Sequence, residues 1–243
     1  MNTDASAEAF LGFKPNPLRY EYYEPSPYEA HALISGLIPS RARILDVGCG
    51  TGLLAAFLDP AKEITYEGLE PMLDRAQTAA AKGLCIHNDY LTTEWSFKHA
   101  PYDVIILADV IEHLVDPASL LKTAASSLSS TGFLIVSVPN IAHWSARLSL
   151  VLGKFEYSET GILDATHLRW FTEVTLREYL LRCGLVVKEQ RFSSGYGLSA
   201  YRRLRKLFGI FYADKLLKRI VAQLARLAPG LFACQFIYRC ELI

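Results

Sequence analysis

The sequence predicts an α/β fold: a Rossmann-like, doubly wound, mainly parallel seven-stranded sheet with helical insertions. Short apolar runs alternate with helical segments from Arg43 onward. Several of those runs are apolar throughout, as strands are when both faces of a sheet are covered. A glycine turn, Gly48–Gly52, follows the first run and opens the segment after it.

The elements follow in order. Tyr28–Leu37 reads as a helix that ends near Pro39, after an irregular stretch carrying Pro15, Pro17, Pro25 and Pro27. Arg43–Val47 is the first strand, and a helix begins at Leu53–Leu58. Ile64–Glu70 is the second strand, Met72–Lys82 an Ala-rich helix and Leu84–Asn88 the third strand. Tyr102–Ala108 is a buried strand, Pro117–Leu128 a helix and Phe133–Val138 the fifth strand. The rhythm then pauses over 140–171, which is rich in aromatics, His and Ser. Val174–Cys183 is a helix with Gly184 as its C-cap. Leu185–Phe192 and Leu231–Tyr238 are the last strands, separated by a basic and apolar insertion over 196–230. The domain therefore spans 41–243, and 1–40 form a lid and helix segment.

Composition bounds the function. The chain has 243 residues, 51% apolar and 21% charged, which suits one large globular domain rather than a disordered chain. Its five cysteines are odd in number and form no CxxC pair, so they read as reduced thiols in a cytoplasmic protein. The N-terminus is polar and acidic, unlike a signal peptide. No apolar run approaches the roughly 20 residues of a membrane span. The 25 basic and 25 acidic residues cancel, so no global excess draws the chain to nucleic acid. The charge is unevenly placed, however. Residues 1–200 hold 16 basic and 23 acidic residues, whereas 201–227 hold 8 basic and 1 acidic.

The most specific feature is Leu45-Asp46-Val47-Gly48-Cys49-Gly50-Thr51-Gly52. Glycines at the end of a strand permit a tight turn and let backbone N–H groups approach a ligand. Glu70, 18 residues beyond Gly52, ends the second strand, where a carboxylate can accept both hydroxyls of a ribose. A glycine turn by itself also fits a plain loop. The GxGxG spacing and the preceding Asp46 speak against a pyrophosphate ligand, and so against a nicotinamide-dependent oxidoreductase.

These residues resemble the first motif of class I S-adenosylmethionine-dependent methyltransferases. Tyr102–His113 is similar to the fourth-strand motif of the branch that includes ubiquinone-biosynthesis O-methyltransferases. Gly161-Ile162-Leu163-Asp164-Ala165-Thr166-His167-Leu168-Arg169-Trp170-Phe171-Thr172 resembles a segment of methyltransferases encoded with glycan-biosynthesis enzymes. The resemblance implies S-adenosylmethionine as cofactor. Asp46, Gly48, Cys49, Gly50 and Gly52 would then cradle its methionine part. Glu70 would hold the ribose, with Pro71 beside it, and Met72 would pack on the adenine. Asp89 would bind the adenine edge with Tyr90 flanking it, and Ala108 and Asp109 would face the sulfonium.

In-line methyl transfer needs a positioned acceptor and, for oxygen or nitrogen, removal of a proton. His113, His143 and His167 are the base candidates; a structural histidine bonded to backbone is the favoured reading of His113, and a capping and packing network for the following helix is the alternative for His167. Arg169 is a further acceptor-binding candidate. No metal-ligand spacing stands out. Arg19, Tyr20, Tyr22 and Tyr23 fit either a lid or an aromatic plug. The basic insertion, with apolar Leu204, Leu207, Phe208, Phe211, Leu216, Leu217, Ile220, Val221, Leu224 and Leu227, fits a packed helix pair, an anionic membrane surface or a negatively charged acceptor. The expected function is O-methylation of a small-molecule or glycan/lipid-linked acceptor. N- or C-methylation and a non-catalytic cofactor-binding scaffold are the alternatives.

Overall fold

Strand order is set by which apolar runs bury both faces. The computed structural model describes residues 8, 10–12, 16, 18–20, 26–198, 200–203 and 214–243. Its strands are β1 (Arg43–Val47), β2 (Thr65–Leu69), β3 (Ile86–His87), β4 (Tyr102–Ala108), β5 (Leu128–Pro139), β6 (Leu185–Ser193) and β7 (Gln235–Leu242). They form one seven-stranded sheet in the order β3-β2-β1-β4-β5-β7-β6. Strands β1 to β5 pair in parallel, and β7 runs antiparallel between β5 and β6. The expected mainly parallel seven-stranded sheet is what forms.

Alternation along each strand builds two cores. Leu45, Ile105, Leu107, Leu134 and Val136 face one side, where α4 (Pro117–Ser126) and α6 (Glu173–Arg182) cover them with Leu121, Leu176 and Leu180. Ile44, Val104, Ile106, Ile135 and Ile237 face the other, under Ala30, Ile34 and Leu37 of α1 (Ala30–Leu37). Each fully buried aliphatic chain contributes about 1.5–3 kcal/mol. Residues 30–37 are thus core, and a lid can only involve the chain before them.

Several boundaries differ from the expected ones. After the glycine turn there is no long helix but two 3-10 turns, Leu54–Phe57 and Pro60–Lys62. Pro60 has no N–H to continue a helix, and the Asp59 side chain caps the second turn by accepting from Ala61 N. The helix α2 (Leu73–Ala80) is as expected, but β3 has only two residues. α3 (Thr93–His99) was hidden in a polar stretch; the Thr92 hydroxyl caps it by accepting from Trp95 N at 3.0 Å. The 140–171 segment contains α5 (Trp144–Val151). The last strand starts at Gln235 rather than Leu231, because Pro229–Phe232 forms the short helix α8. Before it lies α7 (Asp214–Leu227). Leu204, Leu207, Phe208 and Phe211 of the basic insertion, and Tyr22 and Tyr23 of the expected lid, lie outside the described residues.

Candidate functional site

The parallel strands direct their carboxyl ends to one edge, where ligands bind in folds of this kind. β1 delivers Asp46, which is buried and accepts from the Tyr66 hydroxyl at 2.9 Å. Gly48, Gly50 and Gly52 follow in left-handed conformations with φ of 70°, 57° and 74°. A Cβ at Gly48 would stand 2.9 Å from Val110, so packing there, and left-handed φ at all three, favour glycine. Gly48 N and Cys49 N both donate to Leu69 O, pinning the turn to β2.

Glu70, at the end of β2, is buried. Its two oxygens accept separately, from Gly50 N at 2.9 Å and Met72 N at 2.8 Å. An ionised carboxylate offers about four lone-pair positions, so two remain for a diol. Pro71 and Met72 follow it, and Asn88 donates to the carbonyls of Glu70 and Pro71. Asp89 and Tyr90 are exposed at the rim, where the Asp89 carboxylate accepts from the adjacent Tyr90 N at 2.8 Å.

β4 ends at Ala108, and Asp109 takes a φ of 55°, a left-handed conformation that costs a non-glycine residue energy. Ser137 of β5 and Gln235 of β7 both donate to its carboxylate, which fixes it there. Burial pushes Asp46 up to about 7 and Asp109 up to about 6. Glu112 is 1% exposed, and neither of its oxygens has a hydrogen-bond partner among the described residues. Burial raises its carboxyl well above the ordinary range. Asp46 with Glu70, and Asp109 with Glu112, make this edge acidic, a donor set suited to a cationic ligand and hostile to a pyrophosphate.

The histidines divide. His113 and His167 stack edge to face with ring centroids 4.8 Å apart. Ligand atoms of both lie within 4.8 Å of a Glu112 carboxylate oxygen, so the three could hold a divalent ion. His113 Nδ1 meets Thr166 O at 3.2 Å, and His167 Nδ1 meets Ile162 O at 3.3 Å. A carbonyl only accepts, so each Nδ1 carries the proton and each Nε2 keeps its lone pair. Burial lowers both imidazoles, His167 to about 4, so both are neutral at pH 7. His143 stands apart as the N-cap of α5: its Nδ1 accepts from Ser145 N, which assigns it a structural task.

The roof of this site was only partly legible. Asp164 accepts from Thr166 N at 2.7 Å, from the Thr166 hydroxyl at 2.6 Å and from the Tyr20 hydroxyl. Arg19 lies 3.7 Å from the same carboxylate. Arg19 and Tyr20 are therefore strapped onto the 140–171 insertion. Arg169 instead donates to the carbonyls of Leu114 and Val115, so it braces the loop after Glu112. Glu112 and Asp164 stood inside motifs singled out in the sequence, but a carboxylate's burial leaves no local sequence signal.

Comparison with known proteins agrees with this geometry. A family profile described as a methyltransferase domain matches residues 19–190. The ubiquinone biosynthesis O-methyltransferase of Bradyrhizobium sp. (strain ORS 278) is 31% identical over 193 residues, covering 73% of this chain and 72% of that protein. That of Bradyrhizobium diazoefficiens is 32% identical over 159 residues, 61% of this chain and 60% of that protein. In fold, the chain is similar to a SAM-dependent methyltransferase structure from Archaeoglobus fulgidus, with a TM-score of 0.55, 16% identity and coverage of 87% and 94%. The glycine turn, the carboxylate at the end of β2 and the cation-suited acidic edge fit S-adenosylmethionine, whose sulfonium and ammonium groups are both positive. The chain belongs to the class I S-adenosylmethionine-dependent methyltransferases.

Proposed function

We propose that the chain methylates a hydroxyl of an amphiphilic small molecule or lipid-linked glycan, with the acceptor entering beside His113 and His167. The observation that carries this reading is the Glu112–His113–His167 cluster just beyond β4, with Glu112 and His167 buried and His113 half-buried. S-adenosylmethionine supplies an electrophilic methyl group on a sulfonium. Asp46 and the turn containing Gly48, Cys49, Gly50 and Gly52 would hold its methionine part, and Glu70 with Pro71 its ribose. Met72, Asp89 and Tyr90 would bound the adenine, with Ala108 and Asp109 by the sulfonium. The two neutral imidazoles have open Nε2 lone pairs for the acceptor proton, while the strap of Arg19 and Tyr20 excludes water. Oxygen as acceptor atom draws support from the activity in the relatives' names.

The test uses methyl-labelled cofactor with hydroxylated aromatics and lipid-linked sugars, and identifies products by mass spectrometry. A methyl ether is expected; a methylamine or a carbon-methylated product overturns the oxygen assignment. His167→Ala should slow formation of that ether roughly 10²–10⁴-fold with cofactor affinity unchanged.

The orphaned Glu112 oxygens favour a second reading, in which a divalent ion on Glu112, His113 and His167 acidifies the acceptor hydroxyl. Turnover that survives exhaustive chelation retains the imidazole route. Turnover that is lost and then restored by added ion supports the second.

We also place the protein at an anionic membrane surface through 201–227. Among the described residues, no helix is long and apolar enough to cross a membrane. α7 docks with Val221 and Ala225 but exposes Leu216, Ile220 and Leu227, flanked by exposed Lys215, Arg219 and Arg226. Such a basic apolar stripe suits anionic lipid. Replacing Lys215, Arg219 and Arg226 together by Glu should abolish co-sedimentation with phosphatidylserine vesicles; undiminished sedimentation refutes the contact.

A further inference from the structure

Beside the cofactor edge, β2, β3 and α3 bring Glu67, His87 and His99 together; His87 pairs with Leu69, and its carbonyl accepts from Glu70 N. One ligand atom from each lies within 4.8 Å of the others. Glu67 is already oriented. Arg43 donates to its Oε1 through Nη2 at 2.8 Å and Nε at 3.0 Å, and the Tyr102 hydroxyl donates to Oε2 at 2.9 Å. That Oε2 stands 3.5 Å from His87 Nε2. His87 Nε2 is buried and has no hydrogen-bond partner among the described residues. The separation is poor for a hydrogen bond but right for two ligands of one ion. Metal–ligand bonds of about 2.1 Å at a tetrahedral angle set neighbouring ligand atoms roughly 3.4 Å apart. His99 closes the set and is held by Trp95, whose ring stacks on it at 4.2 Å and 11°. His87 and His99 line a cavity of about 520 Å³, which gives an ion access and room for water in the fourth position.

We propose that Glu67, His87 and His99 bind a transition-metal dication, with zinc as the best match to two imidazoles and one carboxylate. The outer partners Arg43 and Tyr102 orient the carboxylate as second-layer groups do in metal sites. The ion would tie the two-residue edge strand β3 to β2 and α3. It would sit beside Asn88, whose side chain holds the Glu70 carbonyl, and so would brace the rim of the cofactor site. This site shares no residue with Glu112, His113 and His167.

The test is titration of the purified, chelator-treated protein with nickel chloride, read by tryptophan fluorescence, followed by zinc competition. Quenching that saturates at one ion per chain, is reversed by zinc and is absent from Trp95→Phe is expected. His99→Gln should weaken it at least 10-fold, and the His87→Gln/His99→Gln pair should remove it, while Glu112→Gln leaves it intact. No quenching at millimolar nickel overturns the site. So does equal affinity in wild type and in His99→Gln, with circular dichroism confirming that the variant is folded.

Discussion

Glu70→Ala weakens S-adenosylmethionine binding about 100-fold or more. A hydrogen bond to a charged group contributes about 1.5–3 kcal/mol, and the ribose diol loses two such acceptor positions. The carboxylate also ties Gly50 N to Met72 N across the turn, so the substitution releases two backbone donors at the ligand edge. Glu70→Gln retains one acceptor oxygen and should lose about 10-fold. Equilibrium dialysis with labelled cofactor measures both. Affinity unchanged in Glu70→Ala would remove Glu70 from the cofactor site and leave it a purely structural staple.

Glu112→Leu raises the melting temperature of the chelator-treated protein. The wild-type carboxyl is 1% exposed with both oxygens unpartnered, and leaving such a group buried costs about 1–3 kcal/mol. For a chain of this size that converts to roughly 2–10 °C. The sign follows from proton linkage. Burial raises the folded-state affinity of Glu112 for a proton, so the folded state loses stability as pH rises above the ordinary carboxyl range. The leucine variant should therefore gain most near pH 8 and little near pH 4. A melting temperature below wild type at pH 8 would mean that the carboxylate is compensated in the folded protein.

Much of the cofactor edge was legible because its chemistry is local in sequence. Gly48, Gly50 and Gly52 need left-handed φ within five residues, and the carboxylate of Glu70 ends the very next strand. The sheet was legible because strands buried on both faces read as continuous apolar runs, as in Val104–Leu107. What escaped depended on partners distant in the chain. Tyr20 and Asp164 are 144 residues apart, and Gln235 reaches Asp109 across 126. Nothing near Gln235 in the sequence marks it as a clamp on β4. The histidines show the same limit. The sequence offered three candidates, and only the fold sets His113 against His167 while making His143 a helix cap. α3 was missed because a polar, Thr-capped segment with a single buried Trp95 has a weak apolar period.

The acidic edge offers the most direct test of the central claim. Burial holds the Asp46 carboxyl near 7, so at pH 6 most of it is protonated before ligand arrives. The sulfonium and ammonium charges of S-adenosylmethionine favour the carboxylate, so binding drives a proton off. Calorimetric titration with S-adenosylmethionine at pH 6, repeated in two buffers of different ionisation enthalpy, reads that proton directly. Binding with a proton released, affinity falling by up to about tenfold per pH unit below pH 7, and no binding of NADH are expected. Tight binding with no proton release and no pH dependence would contradict the assignment of Asp46 and the acidic edge to the cofactor.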